Sequence, residues 1–160
     1  MTDSQMLAKN WLLTLQDYAE ILKAEKRTLE MLELRLYKGV SSYDDYHARR
    51  DKITSNSAHE DALAAYSEQL ERTEKAQKFY ISALHQTQAV IAQLPPELQS
   101  LAIDKYINHL PQRDLEKVHN YGRSQIFNLC RRILDRVAEI LAANKTELVI
   151  TPRVRHEATA

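Results

Sequence analysis

From Gln5 to about Tyr37 the chain runs without glycine or proline, and leucine returns at every seventh residue, at Leu15, Leu22, Leu29 and Leu36. Trp11, Tyr18 and Leu32 hold the companion column of the same repeat, and Glu25 is its polar interruption. Two apolar columns with a repeat of seven mark a helix that buries one narrow stripe against another helix. Lys23, Lys26, Arg27, Glu30 and Glu33 fall outside the stripe, where water solvates them. Asp3 or Ser4 is of the right type to cap the start.

Such a helix needs a partner, and the sequence supplies one. From His59 to about Gln93 a second long helix is expected, with Tyr66, Leu70, Thr73, Gln77, Tyr80, Leu84, Thr87 and Ile91 alternating at four and three in a wetter seam. Between the two, Lys38 to Ala58 carries Gly39 and clusters of Ser, Asp and Asn, which read as a loop or hinge. A structureless connection of about 20 residues is long for a compact domain, so around Tyr43 to Lys52 either a turn of helix or a mobile segment is expected, with Tyr43 and Tyr46 packing on the hairpin. Two helices of similar length joined in this way form an antiparallel hairpin. Its seams stay partly open, so the hairpin is expected to recruit the C-terminal bundle or a second copy of the chain, as a homodimer.

Pro95 and Pro96 end the second helix. Pro95 biases Leu94 away from helical geometry, and Pro96 suits the first turn of the next helix. The sequence therefore divides into a hairpin over residues 1–94, a small bundle over 95–144 and a flexible tail over 145–160. In the bundle, a helix from Pro96 to about Asn108 offers Leu98, Leu101 and either Ile103 or Tyr106 as a roof.

Beneath that roof the apolar spacing points to two helices joined by a tight turn. Leu115 and Val118, three apart, mark one face of a short helix. Asn120 stands where a left-handed residue would end it, Tyr121 falls in the turn, and Gly122 or Ser124 opens the next helix. Ile126, Leu129, Ile133, Val137, Ile140 and Leu141 then recur at threes and fours. This is the helix-turn-helix pattern. On its second helix the buried positions leave Arg123, Ser124, Gln125, Asn128, Arg131 and Arg132 outward, with Phe127 partly so. Arginine can fork onto guanine and Gln or Asn onto adenine in a major groove, while Ser and a helix N-terminus favour phosphate.

With two glycines and four prolines in 160 residues, the composition is that of an all-α protein. A lone cysteine, Cys130, excludes an intramolecular disulfide and is expected to be a small buried or half-buried residue. No stretch resembles a secretory signal or a membrane span, so a cytoplasmic setting is expected. The net charge is zero, which counts against a coat for nucleic acid. From Arg123 to Arg136, however, four arginines face one acid, Asp135. The six histidines lack ligand spacing and neither glycine belongs to a phosphate loop, so no metal, cofactor or catalytic residue is expected, and an enzyme is the least supported class.

The segments IDKYI (Ile103–Ile107) and LEKVHNYGRSQIFNLCRRIL (Leu115–Leu134) resemble the C-terminal helix-turn-helix of sigma-70 type factors, region 4, in the form found in small phage regulators of the ArpU and RinA type. The layout of two long helices separated by GVSSYDD and a Ser/Asn-rich patch is similar to that of such phage proteins, so the resemblance covers most of the chain. It implies a sequence-specific, double-stranded-DNA-binding transcriptional regulator of a phage or prophage. The implied DNA-binding set is Arg123, Ser124, Gln125, Phe127, Asn128, Arg131 and Arg132, with RNA polymerase as a further partner. The alternative is a helical adaptor or inhibitor whose arginines pair with acidic side chains of another protein.

Overall fold

The computed structural model describes residues 1–46 and 52–144, with side chains given for 1–38 and 57–144. The tail from Lys145 to Ala160 and the packing of Tyr43 and Tyr46 lie outside what is described. The described residues form no strand, and the fold is all-α: α1 (Asp3–Tyr46), α2 (Lys52–Ala92), α3 (Pro96–Ala102) continuing into a π-helical turn (Ile103–Ile107), α4 (Gln112–His119) and α5 (Arg123–Ala143). No described helix is long and apolar enough to cross a membrane.

Both long helices run further into the expected hinge than the Ser, Asp and Asn clusters suggest. One interior glycine costs a helix about 1 kcal/mol, and Ser, Asp and Asn are only mildly unfavourable there. A helix of 44 residues that is held along its seam absorbs Gly39. At the other end of α1 the cap is Thr2 rather than Asp3 or Ser4. The Gln5 N–H donates to Thr2 Oγ1 at 3.3 Å and the Thr2 N–H to Gln5 Oε1 at 3.1 Å, a reciprocal capping box.

The described residues divide into two compact units, one within residues 19–80 and one of residues 1–18 with 81–144. In the first, α1 and α2 pair antiparallel. Leu22 is buried on α1, and Leu29, Leu32 and Leu36 are half-buried in the expected columns. On the part of α2 in this unit only one expected column faces the seam, although Leu84 and Ile91 of the other column are half-buried and buried further along the helix. Thr73 is buried and Tyr80 half-buried as expected, but the companion column is Gln69 and Ala76, both buried, while Leu70 and Gln77 are exposed. The seam thus lies one residue away from the more apolar choice. Its cause is visible at Glu25. The Gln69 side-chain amide donates to the Glu25 carboxylate and, at 3.2 Å, to the Glu25 backbone carbonyl, and Thr73 Oγ1 closes on Gln69 O at 2.8 Å. A buried polar group needs partners, so the interruption on one helix selects polar residues on the other.

Replacing Gln69 by Leu is therefore expected to destabilise this unit by about 1 to 2 kcal/mol although Leu is the more apolar residue, because it removes the donor from a half-buried carboxylate. The double replacement Glu25→Leu with Gln69→Leu should recover most of the loss. Urea denaturation checks both, and a Gln69→Leu single variant as stable as the parent would contradict the role given to the polar layer.

The second unit is built on one continuous core. Ala8, Trp11 and Leu12 of α1, Val90 and Ile91 from the end of α2 and Leu94 of the turn after it join Leu98, Leu101, Ala102, Tyr106, Leu115, Ile126, Cys130, Ile133, Leu134 and Val137. Pro95, with extended ψ, and Pro96 at the first helical position mark a break in secondary structure as expected. The core runs across that break. Gln5 Nε2 also donates to Asp135 Oδ1 at 2.6 Å, tying the first turn of α1 to the middle of α5.

A candidate nucleic-acid interface on the fifth helix

The turn between α4 and α5 is made by two residues with different backbone demands. Asn120 closes α4 in the left-handed region, at φ 54° and ψ 42°, and Tyr121 N returns to Glu116 O at 3.2 Å. Asn tolerates that conformation better than most residues with a side chain. Gly122 then caps α5 in extended geometry, at φ −72° and ψ 160°, and no side chain bonds the first turn of α5. Nothing there needs glycine: a Cβ on Gly122 would meet no atom within 4 Å. Gly122→Ser is expected to stabilise this unit by about 0.5 to 1 kcal/mol, through a stiffer unfolded chain and a side-chain cap. A lower midpoint of urea denaturation than the parent's would refute that.

The roof residue is Tyr106, which is buried, while Ile103 is 40% exposed. Burial, and secondarily the nearby Cys130, push the Tyr106 phenol well above its usual value, so it stays protonated. Cys130 is buried, and Lys105 Nζ donates to its sulfur at 3.2 Å. On α4 Leu115 is buried as expected, but Val118 is 63% exposed. The inward position four residues after Leu115 belongs to His119, whose Nε2 lies 2.8 Å from Asp104 Oδ2. Asn108 Nδ2 donates to Asp104 Oδ1 at 3.1 Å. Asp104 thus links the π-helical turn to the end of α4, a contact that spacing alone does not reveal because the two residues are fifteen apart.

With Ile126, Cys130, Ile133, Leu134 and Val137 buried and Leu129, Ile140 and Leu141 partly so, the opposite surface of α5 is set. Arg123, Ser124, Gln125, Phe127, Asn128, Arg131 and Arg132 are all exposed. Phe127 is more exposed than its apolar character suggests, at 60%. A groove of about 450 Å³ is lined by Arg123, Ser124, Phe127 and Asn128 together with Gln112, the first residue of α4. Gln112 was not singled out by spacing, since it precedes every apolar position of its helix. Gln125, Arg131 and Arg132 do not line the groove.

The arginines are not equivalent. Arg132 bonds Glu97 of α3 at 3.0 Å and Arg136 bonds Glu139 at 3.1 Å, both as exposed pairs. Among the described residues Arg123 and Arg131 make no ion pair. The Arg131 guanidinium instead stands 5.2 Å from the centroid of the Phe127 ring. Two cations outside any ion pair among the described residues, two amides, a hydroxyl and a helix start without a side-chain cap form a surface suited to a polyanion. No cluster of His, Cys, Asp or Glu that could hold a metal occurs among the described residues. Compared with family models, curated proteins and solved structures, the chain matches none.

Proposed function

We propose that the protein is a sequence-specific regulator of transcription that binds double-stranded DNA through α5, in a phage or prophage setting within the bacterial cytoplasm. The observation that carries this reading is the outward face of α5, where Arg123 and Arg131 lack acidic partners and flank Ser124, Gln125 and Asn128. A helix entering a major groove by its N-terminus brings its first two turns to base edges and its later residues to the backbone. Ser124, Gln125 and Asn128 occupy those first turns, and Arg131 and Arg132 lie behind them. The phage setting rests on the resemblance to ArpU- and RinA-type regulators. The long helices then serve to join a second copy of the chain or to engage RNA polymerase. In the adaptor reading, the same arginines pair with acids of a protein partner, as Arg132 already does with Glu97.

Selection of duplexes from a random pool by the whole chain, repeated with Gln125→Ala and Asn128→Ala, tests the proposal. The parent is expected to enrich a motif, and each variant to lose preference at one or two positions, worth roughly 1 to 3 kcal/mol each, with little change in salt dependence. Failure to enrich any duplex, with affinity for an acidic protein in its place, would decide for the adaptor.

A further inference from the structure

Phe127 is a large apolar ring on an otherwise polar face, 60% exposed and placed as the fifth residue of α5. It lines the same groove as Gln112, Arg123, Ser124 and Asn128. The Arg131 guanidinium at 5.2 Å holds the ring from one side, and an aromatic side chain held in this way loses little further freedom on binding. No acidic residue occurs from Arg123 to Arg132, so this surface suits an anionic occupant. The ring requires that the same occupant also offer an apolar group. In a DNA major groove that group is the C5-methyl of thymine, which sits among the base edges that the first two turns of a groove-entering helix reach.

We propose that Phe127 is a specificity-determining residue that reads the 5-methyl group of one thymine, with Arg131 positioning its ring. This rests on the DNA-binding reading of α5. It assigns to Phe127 a selection that needs no hydrogen bond and is independent of the amide contacts of Gln125 and Asn128.

The test takes the duplex enriched by the whole chain and replaces each thymine in turn by deoxyuridine, which removes the methyl and leaves every hydrogen-bonding group in place. At one position the loss of the methyl is expected to weaken binding roughly three- to five-fold, the worth of one buried carbon. Phe127→Ala should bind the two duplexes alike, with the affinity of the parent for the deoxyuridine form. The deoxyuridine series on the parent needs no variant to fold. An enriched motif without a methyl-sensitive thymine, or a sensitivity that persists in Phe127→Ala, overturns the assignment of Phe127 while leaving the protein a DNA binder. A pool from which no duplex is enriched overturns the DNA-binding reading and this assignment with it.

Discussion

Residues 95–144, produced without the rest of the chain, are expected to show no cooperative thermal transition. The helix-turn-helix lies within this stretch, yet its core is completed by Ala8, Trp11, Leu12, Val90, Ile91 and Leu94. Burying a large apolar side chain contributes about 1.5 to 3 kcal/mol, so losing five of them removes on the order of 10 kcal/mol. That is comparable with the whole stability of a typical domain. About fifty residues also bury too little surface to compensate. In the full chain, Leu12→Ala alone should cost about 2 to 5 kcal/mol, because Leu12 is almost fully buried and its cavity would be lined by well-packed neighbours. Circular dichroism melts decide the matter: a sharp transition in the fragment, near that of the full chain, would mean that α3, α4 and α5 suffice for one another.

Replacing both Arg123 and Arg131 by Ala is expected to lower affinity for duplex DNA roughly tenfold or more at low salt, and to reduce the slope of log affinity against log salt by about two. Neither side chain makes an ion pair among the described residues and both are exposed, so folding should be little affected. Arg132→Ala should do less, since the Arg132 guanidinium already bonds Glu97 and brings that carboxylate with it. Fluorescence anisotropy across a salt series, with circular dichroism as the control for folding, reads both variants. Unchanged affinity and slope in a folded double variant would remove α5 from contact with phosphate.

Several features of the fold were legible because single residues impose them. The leucine column of α1, the proline break after Leu94, the left-handed Asn120 and the apolar face of α5 each follow from local chemistry, and the structure has them where the spacing puts them. What was not legible depends on partners. The four–three spacing favours Leu70 and Gln77 for the α2 seam, whereas the structure uses Gln69, which bonds Glu25, and Ala76. Val118 looks like a core residue until His119 finds Asp104. Of the seven proposed DNA-contacting residues, periodicity puts six outward and Phe127 partly so, and all seven are exposed, but it does not divide the arginines into paired and unpaired. That division depends on Glu97, 35 residues away from Arg132.

The bond between Gln5 and Asp135 spans 130 residues, and Trp11 and Leu12 share a core with Val137. During synthesis the first of these side chains leaves the ribosome long before its partners exist. At about 5 to 20 residues per second, the wait is on the order of ten seconds. Local helix forms within microseconds, so α1 emerges with its apolar stripe already organised and nothing to cover the end that belongs to this core. Completion of this core thus waits until α5 itself has been translated, and a chain interrupted before α5 would lack Ile126, Ile133, Leu134 and Val137 from it. Nascent chains of this protein should accordingly be candidates for capture by a chaperone at their first helix, in proportion to how slowly the remainder is translated.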